Sequence, residues 1–135
     1  MSSLREKLMI NQVNIPAANI KIRPDGIMHV HVKVQTHLEI EDSIAIIEAR
    51  TKLANNRSYP IMYTATKLVI PTPEARVNIA TEKRSKLVKA DAFVVNSLPQ
   101  RLMAKIYRVV NKPVRPTQYF ETEESAIEWL KNFVD

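Results

Sequence analysis

Cysteine is absent from this chain and glycine occurs once, at Gly26. Without cysteine there is no disulfide, no thiol nucleophile and no thiolate metal site. A single glycine cannot build Gly-x-Gly-x-x-Gly or a P-loop, because both need several positions where a bare backbone bends around phosphate. The Gly-x-Ser-x-Gly nucleophile elbow is excluded for the same reason. All three histidines fall within residues 29–37, so no Ser/His/Asp triad is indicated. Long apolar runs are missing too: Leu68 to Ile70 and Ala92 to Val95 are far short of the roughly 20 residues that span a bilayer. The opening Met1-Ser2-Ser3-Leu4-Arg5-Glu6-Lys7 lacks the apolar core of a secretion signal, which makes a cytoplasmic address the expectation.

What is present fits one domain. A chain of 135 residues with 45% hydrophobic content can bury a core, and residues 1–135 are expected to form a single unit, with 1–16 its least patterned part. The net charge of +6 is unevenly placed. Between Arg50 and Arg115 stand 14 basic and 3 acidic residues, a local +11, and the remainder carries −5. Such asymmetry suits an anionic partner or a solvated basic surface.

Leu8 to Ile15 is a candidate strand ended by Pro16. From Ala18 to Val34, Ile20 and Ile22 alternate with polar residues, Arg23-Pro24-Asp25-Gly26 makes a turn, and Met28, Val30, Val32 and Val34 alternate again. This predicts a hairpin with Gly26 where the turn needs a positive φ, so a β-branched residue there should be damaging. His29 and His31 share the opposite face of the second strand. Two histidines at this spacing can share a metal, but His37 or Glu39 would have to complete the set, so no metal site is assigned.

Acids at Glu39, Glu41 and Asp42 open a helix in which Ile40, Ile44, Ile47, Thr51 and Ala54 recur, and Asn55-Asn56 ends it. Tyr59 to Tyr63 reads as a buried strand. Thr72-Pro73-Glu74 opens a second helix with a hydroxyl at the N-cap and proline at its first position; Ala75, Ile79 and Val77 are its candidate buried side. Ala92 to Val95 reads as a central strand. Ser97 caps a third helix whose Leu98, Leu102, Ile106, Val109 and Val110 are expected to face the core. Beside them Arg101, Lys105, Arg108 and Lys112 recur at spacings of 4, 3 and 4 and so share one stripe. Thr117 to Phe120 makes a last strand, and Thr122 caps a helix carrying Ala126, Trp129, Leu130 and Phe133 on one side.

This order resembles the STAS domains, and in particular the SpoIIAA-like proteins of bacteria related to anti-sigma-factor antagonists. The resemblance runs from about Ala17 to Val134. Short bacterial members of unassigned function share Asp25-Gly26, Ala49-Arg50, Ser58-Tyr59-Pro60, Glu74-Ala75-Arg76, Ala92 to Val95, Asn111-Lys112-Pro113 and Ala126 to Leu130. It implies an α/β fold with a mixed β-sheet, an N-terminal β-hairpin and about four helices. It also implies a non-enzymatic, regulatory module without cofactors. In the phosphorylated antagonists an Asp-Ser-Ser-Gly sequence stands at the strand-loop-helix junction, and its second serine is modified. Here those positions read Pro71-Thr72-Pro73-Glu74, so the modified position is proline and Thr72 is the candidate phosphorylation site.

The expected function is recognition of a protein partner or small ligand at residues 66–76, through Lys67, Thr72, Glu74 and Arg76. One alternative is nucleic-acid or anionic-membrane binding by Arg101, Lys105, Arg108 and Lys112. Another is a small-molecule or lipid pocket between the sheet and its helices. A homodimer through a free sheet edge is a further candidate.

Overall fold

A computed structural model describes residues 11–34, 36–65, 69–81, 87–95 and 97–135. Among these described residues, eight strands and four α-helices follow one another in the order β1 (Gln12–Asn14), β2 (Ala18–Ile22), β3 (Met28–Val32), β4 (His37–Leu38), α1 (Ile40–Ala54), β5 (Tyr59–Ala65), β6 (Ile70–Pro71), α2 (Pro73–Thr81), β7 (Val88–Val94), α3 (Leu98–Ile106), β8 (Thr117–Phe120) and α4 (Glu123–Leu130). Six strands form one sheet in the order β1-β2-β3-β5-β7-β8. Its first three strands are antiparallel and β3, β5, β7 and β8 are parallel.

The hairpin turn forms as its residues dictate. Gly26 has φ +86°, its N–H donates to the Arg23 carbonyl at 3.0 Å, and the Arg23 guanidinium pairs with Asp25 at 3.0 Å. Before the hairpin, β1 adds an edge strand over Gln12–Asn14, a shorter piece than the expected Leu8 to Ile15, whose residues 8–10 lie outside the described residues. Asn55 and Asn56 both adopt positive φ and stop α1, a conformation asparagine tolerates better than most residues.

The two sheet faces carry different cores. Alternation in β2 and β3 sends Ala18, Ile20, Met28 and Val30 to the face that packs on α1 through Ile46 and Ala54. Met62, Ala90 and Ala92 meet Ala126 and Leu130 of α4 on the other face. Trp129 of α4 packs against Phe120 and Phe133. A bulge in β7 governs this division. Tyr59 pairs with Val88 but Pro60 pairs with Ala90, so Lys89 is the extra residue. Past it the alternation of β7 inverts, and Asp91 and Phe93 turn to the α1 side.

Helix α3 departs from its expected orientation. Leu98, Leu102, Ile106, Val109 and Val110 are exposed, and Ala104 and Tyr107 are buried in their place. Periodicity groups residues onto a side without saying which side faces inward. Here the side holding Ala104 and Tyr107 meets Phe93, whose ring contacts Tyr107 edge-to-face at 5.8 Å. Val77 of α2 is likewise 51% exposed rather than buried. A π turn, Tyr107–Asn111, extends α3 and ends at Lys112 with φ +49°.

Candidate functional site

The junction between β5 and α2 is held from two directions. Strand β6 pairs in parallel with β4, His37 opposite Ile70 and Leu38 opposite Pro71. The Thr72 N–H donates to the Leu38 carbonyl at 2.9 Å. Its hydroxyl accepts from the Ala75 N–H at 3.2 Å, the N-cap role its position predicts. The candidate phosphorylation oxygen is therefore already engaged with the helix start. Glu74 points to solvent, and Lys67 with its neighbours 66 and 68 lies outside the described residues.

Arg76 turns inward. Its Nη1 donates to the Pro71 carbonyl at 2.9 Å and lies 3.2 Å from the Met103 sulfur, tying α2 to α3. Beneath it is a cavity of about 150 Å³ between the sheet and helices α1, α2 and α3. Side chains at the carboxyl ends of β5, β7 and β8 form its floor: Tyr63, Phe93 and Tyr119. Tyr63 and Phe93 stack at 4.9 Å with their planes 12° apart, and Phe93 stacks on Tyr119 at 5.7 Å. Val69, Ile79, Met103 and Ala104 contribute to its largely apolar walls.

Polar groups enter this wall at few points, and most are donors. Arg50, buried on α1, donates from Nη1 to the Tyr63 hydroxyl at 2.7 Å. The Tyr107 hydroxyl, the Tyr119 hydroxyl and Arg76 Nε are buried with no hydrogen-bond partner among the described residues. Tyr107 is only 6% exposed. Burial pushes the phenols of Tyr63, Tyr107 and Tyr119 up from their ordinary range, so each is a neutral O–H donor near neutral pH. Arg50 pulls the other way at Tyr63, and Arg108 does so at Tyr119, without overcoming burial. Close by, Arg115 Nε meets Asp91 Oδ2 at 2.6 Å, and Arg115 Nη2 donates to the Ile79 carbonyl at 3.2 Å. Burial alone would pull the Arg115 guanidinium down, yet the Asp91 carboxylate, followed by Tyr63, raises it.

Of the junction residues read from sequence, Thr72 and Arg76 are joined by the backbone bond from the Arg76 N–H to the Thr72 carbonyl at 2.9 Å, and only Arg76 lines the cavity. Arg50, Tyr63, Phe93, Tyr107 and Tyr119 also line the cavity and carry no site reading from the sequence. Arg50 had a signal: Ser43, Ile46, Ile47, Arg50 and Ala54 are the buried side of α1, so this arginine occupies an apolar stripe. The stripe of Arg101, Lys105, Arg108 and Lys112 is exposed on α3 and its π turn, and Arg101 pairs with Glu121 at 2.9 Å. His29 Nε2 and His31 Nδ1 both meet the Thr64 hydroxyl at 2.7 Å. Among the described residues no third His, Asp or Glu joins them in a metal-holding group. No helix among the described residues is long and apolar enough to cross a membrane.

No curated protein matches this chain. Among solved structures, it is similar to an uncharacterised protein of the DUF3478 family with a SpoIIAA-like fold from Shewanella loihica PV-4. The match has a TM-score of 0.55 at 14% identity and covers 84% of this chain and 92% of the other. At that identity the shared feature is the fold, and it agrees with the mixed sheet and four helices seen here: the fold is SpoIIAA-like. A family model described as a domain of unknown function, DUF7793, matches residues 20–134, and the chain belongs to that family.

Proposed function

We propose that this chain is a non-enzymatic, STAS-like binding module whose cavity takes a small apolar molecule carrying a hydrogen-bond-accepting group, best a carboxylate. The observation that carries this reading is the set of unclaimed donors, Tyr107 O–H, Tyr119 O–H and Arg76 Nε–H, in the wall of an apolar cavity. Buried donors without partners are costly, and a ligand acceptor relieves that cost. Arg76 lines the cavity, no Asp or Glu is among its lining residues, and the nearby Asp91 carboxylate is paired with Arg115, so an acceptor group meets donors there. Its size, about 150 Å³, suits a body near that of a benzene ring. The Tyr107 and Tyr119 hydroxyls are neutral O–H donors near neutral pH, suited to orient a ligand acceptor. Thr72 and Glu74 lie on the outside of the helix start that Arg76 anchors from within. In this reading a protein partner senses ligand occupancy at Thr72 and Glu74.

Thermal unfolding with benzoate, cyclohexanecarboxylate, benzyl alcohol and toluene tests the reading, because a ligand of the native state alone raises the midpoint. The carboxylates should raise it most, and Tyr107→Phe, Tyr119→Phe and Arg76→Gln should each reduce the shift. Equal shifts in all variants, or none in the wild type, would remove the proposed site.

A further inference from the structure

Among the described residues, the outer side of α3 and its π turn gathers most of the exposed large apolar side chains. Leu98, Leu102, Ile106, Val109, Val110 and, just beyond, Val114 are exposed, from 41% at Ile106 to 67% at Leu98 and Val110. Isolated exposed apolar residues are ordinary, but six along one short segment form a patch. The cations Arg101, Lys105, Arg108 and Lys112 are exposed on the same segment. Arg101 is paired with Glu121, and no ion pair engages Lys105, Arg108 or Lys112 among the described residues. The inner side of this helix is already used, by Ala104 and Tyr107, against the cavity.

We infer that this face docks on an anionic lipid surface, the apolar row entering the headgroup boundary and the cations meeting lipid phosphates. Interfacial segments combine these two elements, buried apolar area and basic residues within reach of anionic headgroups. The nine-residue helix and five-residue π turn are well short of the roughly 20 residues needed to span, so the contact is peripheral. Charge argues against the other occupants of such a face. A two-fold dimer built on it would set each cation row against its own copy, and like charges oppose that closure. Nucleic acid would satisfy the cations while leaving six aliphatic side chains against phosphate and water. The inference is independent of the cavity, which lies on the opposite side of α3.

Flotation of the full chain tests it, with vesicles of phosphatidylcholine alone and of equimolar phosphatidylcholine and phosphatidylglycerol. Lys105→Gln/Arg108→Gln removes charge and Leu102→Ser/Val110→Ser removes apolar area, all at exposed positions; circular dichroism checks that both variants fold. The wild type should float with anionic vesicles and not with neutral ones. The charge variant should partition about 25-fold less, at about fivefold per cation, and the apolar variant should lose binding at least tenfold. Absence of flotation by folded wild type overturns the inference. So does an apolar variant that binds like wild type, which would mark a site for soluble polyanions such as nucleic acid. Self-association in sedimentation velocity that Leu102→Ser abolishes, without flotation, would instead make a second copy the occupant and also overturn it.

Discussion

Arg115 Nε lies 2.6 Å from Asp91 Oδ2, with the arginine side chain 4% exposed and the aspartate fully buried. The pair joins β7 to the segment that follows α3, and the Asp91 N–H donates to the Pro116 carbonyl at 2.9 Å beside it. Removing Arg115 takes away the counter-ion in contact with the buried Asp91 carboxylate. Arg115→Met should therefore cost about 3–5 kcal/mol, measured by urea unfolding. Asp91→Leu/Arg115→Met, which removes both charges, should recover most of that loss. A double variant no more stable than Arg115→Met would show that the pair holds the segment by geometry that apolar packing cannot replace.

Gly26 is constrained twice. Its φ of +86° disfavours any side chain, and a Cβ there would stand 2.8 Å from Val134 Cγ1 at the end of the chain. Gly26→Ala should destabilise by about 1–2 kcal/mol from backbone conformation alone, with the steric contact added. Adding Val134→Ala should return only the steric share. Full recovery in that double variant would mean that the turn tolerates alanine and that crowding was the whole effect.

Thr72 can be tested apart from any ligand. Its hydroxyl accepts from the Ala75 N–H, so Thr72→Ala should cost about 1 kcal/mol and Thr72→Ser little, by the usual range for caps. Ligand-induced stabilisation should survive in both variants, since the cavity is lined by Arg76 and not by Thr72. If Thr72→Ala lost the ligand response while keeping its stability, the hydroxyl would belong to the binding site rather than to the cap.

Features written in short stretches were legible in the sequence. The Asp25-Gly26 turn, the Asn55-Asn56 stop and the caps at Thr72, Ser97 and Thr122 depend on neighbours a few residues away, and all form as read. The cavity depends on distant contacts. Lys89 bulges because of its pairing with β5, and that one residue decides which side Asp91 and Phe93 take. The aromatic floor and the Asp91–Arg115 pair follow from it. The β4–β6 ladder is two residues long on each side, too short for any alternation to show. In α3 both sides were visible as patterns, but only the aromatic cluster beneath decides that Ala104 and Tyr107 face in and Leu98 and Leu102 face out.

His29 gives the fold a pH dependence whose sign can be worked out. Its imidazole is held below the ordinary 6.5 first by burial, with His31, Lys21 and Arg23 acting the same way and Glu123 of α4 opposing them. The unfolded chain therefore takes up a proton before the folded one does. Stability is intact above 6.5 and falls as pH drops through the interval between 6.5 and the lower folded value. One Thr64 hydroxyl meets both His29 Nε2 and His31 Nδ1 at 2.7 Å, and having one hydrogen it can donate to only one of them, so the other ring nitrogen donates to it. His29→Gln keeps a group able to bond Thr64 and removes the titration. Urea unfolding at about pH 7.5 and about pH 5.5 should show a smaller acid loss in His29→Gln than in the wild type. Equal losses in the two proteins would assign the acid sensitivity to other groups.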